Sequence, residues 1–238
     1  VIKEAFNKNT IARDELREYL NPVYDLERLL ARVSFKTANP RDLTAFLSSI
    51  SMIPHIKTVL KAFDKDELKA VDRELDDLND IRKLIADSIS EDPPILVREG
   101  GIIKDGFNEE VDNFRKAKTE GKNWLAALEE EDRNRTGIKN LRIKFNKVFG
   151  YYFEVTNSYS NLVPDDYVRK QTLSGSERYT TPRLKELEDM ILNAEDKLNA
   201  LEYDLFCDIR DMIAGETERI QKCAKALARL DVYASLSY

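Results

Sequence analysis

A stripe of apolar residues at alternating gaps of three and four, Leu184, Leu187, Ile191, Ala194, Leu198, Leu201 and Leu205, constrains the fold more than anything else in the sequence. Ile209 and Met212 continue it after a four-residue stutter. A seam of this kind has to be covered by another helix, and at about 1.5 Å per residue some 30 residues reach about 45 Å. Thr181-Pro182 opens it with a capping hydroxyl and a proline suited to the first turn. The predicted partner is an antiparallel helix over residues 107–132, whose inner face carries Val111, Phe114, Trp124 or Leu125, and Leu128.

Between these helices, residues 134–182 change period from 3.6 to 2. Leu141, Ile143 and Phe145 alternate with Arg142, Lys144 and Asn146, and after a turn at 147–150 Tyr151, Phe153 and Val155 alternate with Tyr152, Glu154 and Thr156. That pattern predicts a β-hairpin. Two further strands are expected at 167–173 and 177–180, separated by Ser174-Gly175-Ser176. Upstream, Asn39-Pro40-Arg41-Asp42 starts a helix running to about Met52. Ile56, Val59, Leu60 and Phe63 mark one core face, and Leu78, Ile81, Leu84, Ile85 and Ile89 mark the next. Glu91-Asp92-Pro93-Pro94 breaks the chain, and Ile95-Leu96-Val97 with Gly100-Gly101-Ile102-Ile103 reads as extended.

The predicted fold is therefore mainly α: a helical body with a long antiparallel helix pair that carries a small inserted antiparallel β module at its tip. The expected divisions are 1–133, 134–182 and 183–238. Composition agrees, with 34% charged residues and only 8 glycines and 7 prolines. No run of about 18 apolar residues and no leader pattern stands out, so neither a membrane span nor a secretion signal is expected and the chain reads as cytoplasmic. The start lacks Met and both ends run at helical period, which reads as a segment cut from a longer protein.

Catalytic chemistry is poorly supplied. His55 is the sole histidine, too few for a zinc site or a Ser-His-Asp triad, and Cys207 and Cys223 fall in helical patterns as reduced thiols. Glu129-Glu130-Glu131-Asp132 runs consecutively around a helix and reads as a solvated acidic face, not a convergent acid-base pair.

Charge is distributed unevenly. From 134 to 183 the cations are Arg135, Lys139, Arg142, Lys144, Lys147, Arg169, Lys170, Arg178 and Arg183, against Glu154, Asp165, Asp166 and Glu177, an excess of +5. The whole chain carries −6, so the remainder holds −11. Within a Debye length of about 10 Å, local charge decides what a surface meets, and here it favours phosphate. The plainer alternative is that these cations only solvate an exposed β surface.

The run Phe145-Asn146-Lys147-Val148-Phe149-Gly150-Tyr151-Tyr152-Phe153-Glu154-Val155, followed by Arg169-Lys170-Gln171-Thr172-Leu173 and by Glu177-Arg178-Tyr179 with Thr181-Pro182-Arg183-Leu184-Lys185-Glu186, resembles the clamp domain of the bacterial MutS family. Asp25-Leu26-Glu27-Arg28-Leu29, Ala38-Asn39-Pro40-Arg41-Asp42-Leu43 and the stretch from Arg98 to Asn108 are similar to that family's core, or lever, domain. The resemblance spans essentially the whole chain and is weakest over the first 20 residues. Arg183 departs from it, since the family usually has Glu there.

The resemblance implies a part of a DNA mismatch-recognition protein whose clamp grips the duplex backbone and whose lever helices couple it to an ATPase. No phosphate loop of the G-x-x-x-x-G-K-[ST] type occurs, and Gly121-Lys122-Asn123 lacks both the earlier Gly and the hydroxyl, so no ATP or other cofactor and no catalysis is expected of this chain. ATP and Mg belong to the longer family protein. Phe107-Asn108-Glu109 spells the family's mismatch-reading triplet at a helix start, where it offers no wedge between bases. Implied partners are double-stranded DNA, a second subunit and a MutL-type repair protein, with no membrane. The phosphate contacts expected are Lys144, Asn146, Lys147, Lys170, Gln171, Thr172, Ser174, Ser176 and Arg178. A second reading is a helical-hairpin module that recruits a protein through its seam and touches no DNA.

Overall fold

The computed structural model describes residues 2–23 and 25–236. Val1, Ser237 and Tyr238, on which the reading of the two ends partly rests, lie outside them. In chain order the elements are α1 (Ile2–Lys8), α2 (Thr10–Leu20), α3 (Leu26–Ser34), α4 (Pro40–Ile50), α5 (Ile53–Leu60), α6 (Asp66–Glu74), α7 (Asn79–Ser88), α8 (Glu109–Thr136), β1 (Arg142–Asn146), β2 (Gly150–Thr156), a 3-10 turn (Asn157–Leu162), β3 (Val168–Thr172), β4 (Ser176–Thr180), α9 (Pro182–Gly215) and α10 (Thr217–Ser235). The fold is mainly α with one small antiparallel sheet, as the two periodicities require.

The chain divides into two compact units, Val1–Phe107 with Leu201–Tyr238, and Asn108–Ala200. In the first, amphipathic helices bury Phe6, Leu16, Leu43, Phe46, Ile50, Ile53, Ile56, Leu68, Ile85 and Phe206 almost completely. Asn39 caps α4 as expected, and Asp42 completes a capping box: the Asn39 side chain accepts from Asp42 N at 2.9 Å while Asp42 Oδ2 accepts from Asn39 N at 2.7 Å. Among the described residues one stretch, Pro40–Leu60, is long and apolar enough to cross a membrane by length and composition, although Arg41, Asp42, His55 and Lys57 interrupt it, so it is not a run of 18 apolar residues. It is two helices broken at Ser51-Met52, and its apolar side chains form the centre of this helical core.

The extended stretch expected around Ile95–Ile103 is not a strand. A single antiparallel bridge joins Ile89 to Ile103, and Ile95 and Leu96 are exposed. Pro93 and Pro94 have no N–H to donate, and Gly100 and Gly101 take left-handed φ values of 76° and 75°, so no ladder propagates. The seam also changes course. Met212 is 59% exposed, and the buried positions of α9 beyond Leu198 are Glu202, Phe206, Ile209, Arg210 and Ile213. Glu202, fully buried, explains the shift: its carboxylate accepts from Gly101 N at 2.8 Å and Ile103 N at 2.9 Å, so a charged residue occupies a core position on bonds that hydropathy cannot see.

In the second unit, α8 and the first part of α9 run antiparallel. Arg183 pairs with Glu131, Ile191 meets Gly121, and Glu195 pairs with Lys118, so one numbering rises as the other falls. Of the alternatives Trp124 and Leu125, Leu125 is the inner residue; Trp124 is 38% exposed. The four strands pair in the order β1-β2-β4-β3, all antiparallel. This compact unit is wider than the β segment at 134–182 because the sheet's apolar side needs both helices to cover it: Phe153, Val155 and Tyr179 join Leu125, Leu128, Leu141, Leu184 and Ile191 in one cluster.

Candidate nucleic-acid interface

The β module is fastened to its two helices by side chains that sequence reading assigned to solvent. α8 starts at Asn108, whose side chain accepts from Val111 N at 3.0 Å, so the Phe107-Asn108-Glu109 triplet is a helix cap. At its other end, Gly137 takes φ 75° and closes the helix onto Arg133 O. The acidic run just before that end is not a uniformly solvated face. Glu129 accepts from Ile143 N at 2.8 Å and from Arg142 at 3.1 Å, and also bonds Arg133. Asp132, 5% exposed, accepts from the Tyr167 hydroxyl at 2.7 Å. Their spacing from Leu125 and Leu128 was the available signal, because 125, 128, 129 and 132 lie on one helical face.

Tyr167 stacks on Phe153 at 5.0 Å, and burial, followed by the bond to Asp132, holds its phenol far above the usual range. Arg135, bound first to Asp166 and then to Asp132, is held protonated at any accessible pH. Burial, with the Glu177 carboxylate beside it, pushes the Tyr179 phenol up to about 12.

Strand register sorts the outward residues. Arg142, Glu154 and Arg178 lie opposite one another across β1, β2 and β4, as do Lys144 with Tyr152, Thr156 with Ser176, and Arg178 with Gln171. Lys144, Asn146, Gln171, Ser176 and Arg178 therefore share the face turned away from the apolar cluster. Thr172 does not; it pairs with Glu177 on the other face. Lys170 sits at a bulge between Arg169 and Gln171, and its ammonium donates to Phe149 O at 3.2 Å in the β1–β2 turn, the turn that carries Lys147. Ser174 is exposed in the β3–β4 turn, at the opposite end of the sheet from Lys147.

Partners further divide these residues. Asn146 uses its side-chain oxygen within its own turn, accepting from Val148 N at 2.8 Å and Phe149 N at 3.3 Å. Arg178 lies over the Tyr152 ring at 4.5 Å and donates to Gln171 at 2.8 Å. Lys144 pairs with Glu154 at 2.9 Å, Arg142 with Glu129, Arg169 with Glu177, Arg135 with Asp132 and Asp166, and Arg183 with Glu131. Five of the nine cations are thus ion-paired, three of them to the end of α8. Counting that end, where Glu129, Glu130, Glu131 and Asp132 against Arg133 contribute −3, the excess of +5 falls to +2. Among the described residues, Lys139, Lys147, Lys170 and Arg178 carry no ion pair; Lys139 lies between α8 and β1, while Lys147 and Lys170 meet at the β1–β2 turn and Arg178 lies over Tyr152.

A helical core with a small cationic β module built onto an antiparallel helix pair defines a class of helical protein with an inserted β unit. Residues 106–197 match the family model for MutS family domain IV. Three relatives, each named DNA mismatch repair protein MutS, are 63% identical (Lachnoclostridium phytofermentans), 51% identical (Acetivibrio thermocellus) and 52% identical (Ruminiclostridium cellulolyticum). These alignments cover 98%, 98% and 99% of this chain and 25%, 27% and 27% of the relatives, so the chain spans about a quarter of their length. The chain belongs to the MutS family.

Proposed function

We propose that the β module grips the phosphodiester backbone of duplex DNA without reading its sequence. The observation that carries this reading is the convergence of two lysines with no carboxylate partner, Lys147 and Lys170, on one exposed turn, flanked by Lys144 and Arg178 on the outward face. Backbone contact follows from the chemistry present: ammonium and guanidinium groups on short strands neutralise phosphates, and among the described residues the cationic face is built by strands and not by a helix. On the same reading Gln171, Ser174 and Ser176 supply neutral hydrogen bonds, Asn146 holds the β1–β2 turn, and Thr172, on the other face, takes no part. The α8–α9 pair couples the module to an ATP- and Mg-dependent part of the protein beyond this chain, which works as a dimer in the bacterial cytoplasm and hands on to a MutL-type partner.

The test is duplex binding by the 238-residue chain at two salt concentrations, beside a variant with Lys147→Ala, Lys170→Ala and Arg178→Ala. The wild type should bind in the non-specific range, with Kd of about 10⁻⁴ to 10⁻⁶ M, and weaken steeply with salt. The variant should bind less tightly on every sequence and with a flatter salt response. Indistinguishable binding curves would reject the proposal. The protein-recruiting alternative is less well supported, since Leu184 and Ile191 are already buried in the cluster with Leu125 and Leu128 and a partner would have to displace α8.

A further inference from the structure

The outward face of the sheet contains one carboxylate, and it sits in the middle. Glu154 on β2 lies directly opposite Arg142 on β1 and Arg178 on β4, and its Oε1 holds the Lys144 ammonium at 2.9 Å. Every other described strand residue on that face is neutral or cationic. A carboxylate placed there repels the ligand the surrounding cations attract, and it occupies the lysine that would otherwise neutralise a phosphate.

An ion pair between strands could exist simply to fix the sheet, but the neighbours have other anchors. Arg142 is held by Glu129 at 3.1 Å, and Arg178 by Gln171 at 2.8 Å and by the Tyr152 ring. Glu129 also ties β1 to α8 through Ile143 N. With Lys144 half exposed, its bond to Glu154 adds little to stability. The effect left for Glu154 is on what approaches the face.

We propose that Glu154 is a built-in competitor for phosphate, which duplex DNA must displace to recruit Lys144, so that the module's grip is held below the strength its cations would give. The inference rests on the backbone-binding reading and deepens it by naming the residue that limits affinity. A weak, readily released grip suits a surface that must not hold DNA of arbitrary sequence tightly.

Glu154→Gln keeps the side-chain length and removes the charge. Binding of a fluorescent, fully paired duplex would be followed through a KCl titration for the wild type, Glu154→Gln, Glu154→Gln with Lys144→Ala, and Lys147→Ala with Lys170→Ala. Glu154→Gln should bind about three- to tenfold more tightly near physiological salt, with a log–log salt slope steeper by about 0.9, the increment for one more phosphate neutralised. Adding Lys144→Ala should abolish that gain. If Glu154→Gln matches the wild type while the Lys147 and Lys170 substitutions weaken binding, the competitor role is wrong and the interface stands; if neither changes binding, both are wrong. Melting curves check the fold, and Glu154→Thr, compatible with a strand, replaces the glutamine variant should that one unfold.

Discussion

At the scale of single residues, Gly150 shows how closely the sheet is fitted to its helices. It opens β2 with φ +74°, a region that costs other residues, and an added Cβ would fall on the Glu188 carboxylate, which accepts from Tyr151 N. Gly150→Ala should destabilise the chain by about 1–3 kcal/mol in denaturant unfolding. Adding Glu188→Ala should recover only the steric part, and a neutral Gly150→Ala would remove the argument. Tyr167 is the opposite case, a side chain needed for its hydroxyl. Its phenol and that of Tyr179 stay protonated in the folded chain above the value of about 10 at which the unfolded phenols ionise. The unfolded state therefore binds fewer protons above that pH, and stability is full below about pH 10 and falls as pH rises toward and beyond the folded values. Tyr167→Phe should cost about 1–3 kcal/mol at neutral pH and flatten the alkaline decline, and an unchanged decline would show that another group controls it. The alternation of Arg142 and Lys144 with apolar neighbours was readable from sequence and placed both outward. Their carboxylate partners were not, because Glu129 is 13 positions and Glu154 10 positions away along the chain.

At the scale of elements, the helix pair and the sheet were legible because each repeats a period over enough residues to be unambiguous. Legibility ended where a polar residue does a core residue's work. Glu202 occupies the seam on two backbone N–H groups, so the apolar pattern through Leu201 and Leu205 pointed one position away from the residues buried there. Glu202→Ala leaves both donors without that acceptor and should cost about 2–5 kcal/mol, with Glu202→Gln intermediate and the amides of Gly101 and Ile103 losing exchange protection. Retained protection would mean the loop is held by something else. The packing of α9 on α8 leaves no room for a side chain at Gly121, where a Cβ would meet Ile191 Cγ1 at 2.5 Å. Gly121→Ala should therefore lower stability, and combined with Ile191→Ala, which removes the Cγ1 it meets, it should cost less than the sum of the two single changes. Without that non-additivity the two positions do not limit helix approach.

At the scale of the whole molecule, two units with separate hydrophobic cores share one chain, and local damage should remain local. In hydrogen exchange, Tyr167→Phe should raise opening across Asn108–Ala200 and leave the protected amides of α4, α5 and α10 unchanged; a uniform rise would show a single cooperative unit. Acid should act on the other unit. Arg219 holds Asp76 and Asp80 below the usual carboxylate range, so their contribution is present above about pH 3.8 and lost as pH falls through the depressed values. Arg219→Ala should move the acid unfolding midpoint upward. The open order of the sheet has one more consequence. β1 and β3 are its margins, where a strand from another molecule could join, although Glu129 already occupies Ile143 N on β1. Lys144 on one margin and the bulged Lys170 on the other should therefore also oppose self-association. Valine at both positions should produce turbidity and thioflavin fluorescence at concentrations where the parent chain stays clear, whether or not nucleic acid is present.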